Sequence, residues 1–269
     1  MRAVDLFVSD VDGTLVKPDK TLTAASLEAA ADLARAGVAL SLISSRPPRG
    51  MAGLIARLHV AAPWAGFNGG VILDADGAVI VRHDLSAHLC GEVLELIEAC
   101  GVDAWVFAGD DWLLVDPGAD EVWRERRTVE FEPTVVTDLR QRLTAVGKIV
   151  AVSDDARRLD ACQTRAEAAL AGRVSIGRSQ TYYLDFSHPK AAKGEAVRVI
   201  AERAGVALAR TAVIGDMEND LSMFAVAGLA IAMGQAPEAV KRAANKVTTS
   251  NSDDGFAAAV RDVILAEAR

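Results

Sequence analysis

Two groups of acids stand near opposite ends of the chain, each directly behind a short apolar run. Asp10 and Asp12 lie in Asp10-Val11-Asp12-Gly13-Thr14-Leu15, after the mostly apolar residues 4–8. Asp216 and Asp220 lie in Gly215-Asp216-Met217-Glu218-Asn219-Asp220, after residues 211–214. Alternate residues leaving a strand point the same way, so the Asp10 and Asp12 carboxylates can face one site. A lone Asp-X-Asp-Gly is as readily a turn, and Asn219 and Asp220 could simply cap the next helix. Neither reading accounts for Asp216. Ligands of open α/β sheets bind beyond the carboxyl ends of strands. Four carboxylates gathered there without a cation would repel one another and titrate upward. A hard divalent ion removes that conflict, and carboxylates plus water suit magnesium. The expected cofactor is therefore Mg2+.

Two further groups arrive at the same edge. Ser44 follows the apolar residues 38–43 and offers a hydroxyl; Lys193 opens a helix, where its ammonium could meet anionic oxygens. Taken singly, such residues are usually solvent-facing. Their weight comes from arriving in order at strand ends.

The elements that must position these groups fall into two rhythms. Residues 4–8 and 38–43 read as buried parallel strands, and 23–36 and 49–58 as helices. Residues 71–73 and 78–81 flank Asp74-Ala75-Asp76-Gly77 as a hairpin. The middle differs: helices at 86–100 and 155–171 accompany strands at 104–107, 112–115 and 148–152 and a hairpin of 173–177 with 181–186. From 193 the first rhythm returns, with helices at 194–204, 219–226, 237–244 and 256–268 and strands at 211–214 and 229–232. The expected fold is α/β, a Rossmann-like parallel-sheet core carrying an inserted α+β cap domain. Residues 1–83 and 189–269 would form the core and 84–188 the cap.

The 269 residues are 51% hydrophobic, enough for a substantial core, and the net charge is −8. Without a basic tail, nucleic acid is not an expected partner; an acidic chain that handles anions must concentrate positive charge locally. Cys90, Cys100 and Cys162 are too scattered for a disulfide framework or zinc site and read as buried thiols. No signal-like h-region or bilayer-length apolar run is present, so no membrane association is expected and a reducing cytoplasm is the simplest address. Trp64, Trp105, Trp112 and Trp123 read as packing residues. His188, before Pro189, reads as structural or solvent-facing. Oligomeric state is not legible.

Together, Asp10-Val11-Asp12-Gly13-Thr14-Leu15, Ser44, Lys193 and Gly215-Asp216-Met217-Glu218-Asn219-Asp220 resemble the haloacid dehalogenase-like superfamily of phosphotransferases. The insertion between Ser44 and Lys193 looks like the larger cap of the Cof-like class IIB sugar-phosphatase branch. Asn68-Gly69-Gly70 resembles that branch's Asn-Gly-Ala element. Where the branch usually has Thr-Gly-Arg, this chain has Ser44-Ser45-Arg46, which keeps the hydroxyl. The resemblance implies a Mg2+-dependent phosphatase acting on small phosphorylated metabolites, sugar phosphates favoured, through an aspartyl-phosphate. It implies Asp10 as nucleophile and Asp12 as acid and base. Metal would be held by Asp10, Asp12 (through its carbonyl) and Asp216, with Asp220 orienting the bound waters. Phosphate would meet Ser44, Lys193 and Asn219, and the rest of the substrate Arg46 and Asn68. A phosphomannomutase-like phosphotransferase and a non-catalytic sugar-phosphate sensor are the alternatives; the intact acid set argues against the sensor.

Overall fold

A computed structural model of the chain describes residues 4–266. The chain begins with β1 (Leu6–Asp10), α1 (Ala24–Arg35), β2 (Ala39–Ile43), α2 (Ala52–Arg57), β3 (Trp64–Gly66), β4 (Val71–Leu73) and β5 (Val79–Arg82). It then builds α3 (Ala87–Cys100), β6 (Asp103–Ala108), β7 (Asp111–Leu114), α4 (Asp120–Val129), β8 (Thr134–Val135), β9 (Val146–Val152), α5 (Ala156–Leu170), β10 (Ser175–Gln180) and β11 (Tyr183–Ser187). It closes with α6 (Lys193–Arg203), β12 (Thr211–Gly215), α7 (Leu221–Phe224), β13 (Leu229–Ala232), α8 (Glu238–Ala243), β14 (Lys246–Val247) and α9 (Gly255–Ala259).

Among the described residues the strands form two sheets. The first has the order β14-β13-β12-β1-β2-β3-β4-β5 and the second β10-β11-β9-β6-β7-β8. From β14 to β3 the first sheet is parallel; β4 and β5 complete it as antiparallel strands. β1 is buried throughout because both faces of the sheet are covered, as parallel sheets require. Phe7 points to one face, where its ring stacks on Phe256 at 5.8 Å and joins Leu33 of α1. Leu6 and Val8 point to the other, against Val197 and Ile200 of α6. Thr23 starts α1 by accepting a hydrogen bond from the Ser26 N–H, the usual way to satisfy an open helix end.

The second sheet lies between β5 and β12 in sequence. It is antiparallel except where β7 meets β8. Its strands alternate. Leu184 and Phe186 face α3 and α5 with Val93, Ile97, Leu159 and Cys162. Trp105, Phe107, Trp112, Val150 and Tyr183 face the first sheet's layer and share its hydrophobic cluster with Met51 and Phe67. Gly147 allows that contact, since a Cβ there would stand 2.6 Å from the Phe67 ring. Cys90 and Cys162 are buried thiols, whereas Cys100 is half-buried.

Several elements differ from expectation. Helix α4 is absent from the periodicity reading because its buried face is Glu121, Val122, Glu125 and Val129, half acidic and so invisible to an apolar count. β3 is three residues long, too short to register. The expected helix at 219–226 is a tight 3-10 turn, Glu218–Asp220, followed by α7. The last expected helix is α9 and a wide turn over Val260–Ile264; its expected end, 267–268, lies outside the described residues. β10 and β11 each begin two residues later than read, with a register shift between Arg178 and Gln180. Trp64, Trp105 and Trp112 pack in the interior, but Trp123 is 58% exposed. His188 stacks on His83 at 5.1 Å where the two connections between the sheets run side by side. No helix among the described residues is long and apolar enough to cross a membrane.

Candidate active site

Parallel pairing of β1 with β12, Leu6 opposite Thr211 and Ser9 opposite Ile214, delivers the two acid groups to one sheet edge. One carboxylate oxygen from each of Asp10, Asp216 and Asp220 lies within 4.8 Å of the others. Lys193, the first residue of α6, is 1% exposed and supplies the counter-charge. Its ammonium donates to Asp10 Oδ1 and to Asp220 Oδ1, both at 2.6 Å. The second oxygen of Asp220 accepts the backbone N–H groups of Asp216, at 2.8 Å, and Met217, at 2.9 Å. Asp220 thus holds the turn that carries Asp216 while bridging to Lys193.

Asp216 itself is loosely held: Thr14 Oγ1 and Gln235 Nε2 each stand 3.4 Å from it. Gln235 also donates to the Gly13 carbonyl at 2.6 Å and accepts from the Asn251 N–H. Gly13 has φ +88°, and any Cβ there would overlap the Asp216 carboxylate. The glycine therefore serves both the turn and the close approach of the two acid segments.

The electrostatics show a shortage of positive charge. Burial pushes the Asp10 carboxyl up to about 8 despite Lys193, and burial with the neighbouring Asp220 pushes Asp216 up to about 7. Burial alone would depress the Lys193 ammonium, but Asp10 and Asp220 outweigh it and hold it above its usual range. Asp10 Oδ2 is buried and has no hydrogen-bond partner. An orphaned carboxylate oxygen amid three clustered acids is the donor set a hard divalent cation takes, so these residues fit such an ion.

Asp12 is set apart from this cluster. Arg46 grips it with two bonds, Nε to Oδ2 and Nη2 to Oδ1, both 2.7 Å, and Lys20 donates to Oδ1 at 2.8 Å. Burial opposes ionisation, yet Arg46 and Lys20 win and hold the Asp12 carboxyl well below its usual range. Ser44 is buried, and its hydroxyl accepts the Arg46 N–H at 3.1 Å. Asn68 has φ +55° and its side-chain Oδ1 accepts from Asn219 Nδ2 at 3.2 Å. The structure thus brings Asp10, Lys193, Asp216 and Asp220 together and pairs Asn68 with Asn219. Arg46, expected to contact substrate, pairs with Asp12 in this structure.

The second sheet adds groups that sequence reading missed. Lys148 of β9 reaches across to donate to the Ser45 carbonyl at 3.1 Å and stands 3.5 Å from Asp185 Oδ2. Asp185 and Glu125 are also buried, and burial raises both carboxyls while Lys148 pulls them back. A lysine within the apolar strand Val146–Val152 and an acid within Tyr183–Ser187 were the available signals. Gln235 could have been found by its place just beyond β13, at the same sheet edge. Lys20 had no comparable signal.

A family model for haloacid dehalogenase-like hydrolases matches residues 7–260. A pyridoxal phosphate phosphatase of Escherichia coli is 26% identical over 258 residues, covering 92% of this chain and 94% of its own length. A haloacid dehalogenase-like hydrolase from Bacteroides thetaiotaomicron superposes with TM-score 0.88 at 26% identity, covering 97% of this chain and 99% of that one. A subclass IIB sugar phosphatase shares the fold, with TM-score 0.83 at 21% identity over 96% of this chain and 98% of that one. The chain belongs to the haloacid dehalogenase-like hydrolase family, among the phosphoric monoester hydrolases.

Proposed function

We propose that the protein is a Mg2+-dependent phosphatase of small phosphomonoesters, sugar phosphates favoured, with Asp10 as its nucleophile. The observation that carries this reading is the buried, unpartnered Asp10 Oδ2 beside Asp216, with Lys193 neutralising part of the cluster. Residues 4–83 and 189–266 act as the catalytic layer, and 84–188 as a cap that selects the leaving group and excludes water. Relatives named for a pyridoxal phosphate and for a sugar substrate support small phosphorylated metabolites as the substrate class.

In this mechanism an Asp10 oxygen attacks phosphorus and the P–O bond to the leaving group breaks, so the phosphoryl group passes to Asp10 as a mixed anhydride. Dividing one displacement into two lowers each barrier. Lys193, Ser44 and Asn219 bind the phosphoryl oxygens, whose charge spreads in the transition state. Asp12 protonates the departing alkoxide, then takes a proton from the water that releases phosphate and regenerates Asp10. As held by Arg46 and Lys20, Asp12 stands in its base form; its acid form requires that grip to shift toward the substrate. Asp10 and Asp216, with the Asp12 carbonyl, would hold Mg2+, while Asp220 keeps the 216–220 turn in place. When bound, the ion supplies charge that offsets carboxylate repulsion and polarises a phosphoryl oxygen.

The test is phosphate release from a panel of sugar phosphates, pyridoxal phosphate and nucleotides, with magnesium and with chelator. Asp10→Asn is expected to fold and to lose more than about 1,000-fold in kcat; full activity in that variant would remove Asp10 as nucleophile. Accumulation of an isomeric sugar phosphate without free phosphate would favour the phosphotransferase reading. Separately, Mg2+ at about 100 times its Kd should stabilise the fold by about 2.7 kcal/mol, seen as a higher melting temperature. Asp216→Asn should lose that shift. An unchanged wild-type melt at millimolar magnesium would count against the metal.

A further inference from the structure

The turn after β1 closes on a single acceptor, the Val11 carbonyl, which takes the N–H groups of Thr14, Leu15 and Val16 at 3.0 to 3.3 Å. The turn's own carbonyls need donors from elsewhere. Two of them are met by side chains far along the chain. Gln235 Nε2 donates to the Gly13 carbonyl at 2.6 Å, and Asn251 Nδ2 donates to the Val16 carbonyl at 2.9 Å. The two side chains are also joined, because Gln235 Oε1 accepts the Asn251 N–H at 3.1 Å.

Backbone bonds seat this clamp beside the acid cluster. The Met233 N–H donates to the Gly215 carbonyl, next to Asp216, and the Gly234 N–H donates to the Thr249 carbonyl, both at 3.0 Å. Asn251 is 8% exposed. Gln235 is exposed, yet both ends of its amide are engaged. Holding an exposed glutamine in one geometry costs rotamer freedom that a solvated side chain keeps.

What the clamp touches points to its use. Two rigid peptide planes meet at Gly13, and glycine lets them swing. A bond on the Gly13 carbonyl therefore restrains the Asp12 carbonyl one plane away, a group assigned above to the metal. The same Gln235 nitrogen stands 3.4 Å from Asp216 Oδ2, and Thr14, within the clamped turn, stands 3.4 Å from Oδ1. One amide thus spans the two segments that would hold the ion.

We propose that Gln235, backed by Asn251, is a positioning residue of the metal centre, setting the spacing between the Asp12 carbonyl and the Asp216 carboxylate and so the affinity for Mg2+. This rests on the phosphatase reading above. Magnesium demands near-ideal octahedral geometry and tolerates misplaced oxygens poorly. Groups that orient its ligands without touching the ion therefore govern how tightly it binds.

The test titrates magnesium alone into wild type and Gln235→Ala by calorimetry and follows the melting temperature over the same range. Gln235→Ala should bind the ion about 10-fold more weakly. Its metal-free melting temperature should stay within about 3 °C of wild type, because the side chain removed is exposed. Phosphate release from p-nitrophenyl phosphate should fall at limiting magnesium and return as magnesium is raised, a rescue that loss of a group acting in the chemistry itself would not show. Asn251→Ala should weaken magnesium binding in the same direction; if it does not fold, Gln235→Ala decides alone. A magnesium Kd within about 2-fold of wild type in Gln235→Ala, or a turnover defect that saturating magnesium leaves in place, would overturn the assignment while the phosphatase stands. Failure of wild type to bind magnesium would remove the metal reading itself, and this assignment with it.

Discussion

Asp10 and Asp12 are two positions apart and electrostatically opposite. Asp10 lies among other carboxylates and is pushed toward protonation, whereas Asp12 lies under Arg46 and Lys20 and is held ionised. Environments that drive paired carboxyls apart are how one site runs two kinds of proton chemistry. Arg46 is the lever. Arg46→Gln should let the Asp12 carboxyl rise toward its ordinary value, moving the Asp12-dependent limb of the pH–rate profile to higher pH. It should also cost about 3 kcal/mol at pH 7, since it leaves a buried carboxylate with Lys20 alone. A group whose folded pKa is depressed adds stability above its unfolded value, here near 3.8, and loses it as pH falls further. The stability gap between wild type and Arg46→Gln should therefore narrow on acidification below that value. Urea midpoints across pH would show it, and a gap constant down to pH 3 would contradict the pairing.

At the scale of elements, the turn after β1 and the turn after β12 are built against each other. Gly13→Ala should force the Asp216 carboxylate aside at a φ that alanine also resists. The expected result is a loss of the magnesium-induced melting shift with activity down at least about 100-fold, and retention of both would show that the turns can separate. The acids were legible from sequence because each group follows a buried apolar strand, and Lys193 because it opens a regular amphipathic helix. So was the alternation of a parallel layer with a second, antiparallel one. What escaped had a physical reason in each case. α4 hides acids on its buried face, and β3 is only three residues long. The Arg46–Asp12 pair escaped because nothing local to Arg46 announces that its partner lies on another strand's turn. Asp185 and Lys148 look like strand impurities until the strands are placed face to face across the site.

At the scale of the whole molecule, the two layers meet through a narrow fit. Gly147 approaches the Phe67 ring, Lys148 bonds Ser45, and the Lys148 ammonium sits 5.0 Å from the Phe107 ring. Gly147→Val should wedge that contact. It is expected to raise KM about 10-fold or more while the melting temperature falls by only a few degrees, because the cluster on the far face of the second sheet and the core around β1 are left intact. Unchanged KM with a normal melt would mean that the contact plays no part in closing over substrate.

The pairing of β1 with β12 has a consequence for the chain as it is made. During synthesis Asp10 precedes the strand that must lie beside it, with Asp216 at its tip, by the entire intervening sheet. Long-range parallel pairing of this kind is slow to form. A polypeptide that stops before α6 would carry Asp10 without Lys193, Asp216 and Asp220 beside it, and should show no magnesium-induced rise in melting temperature.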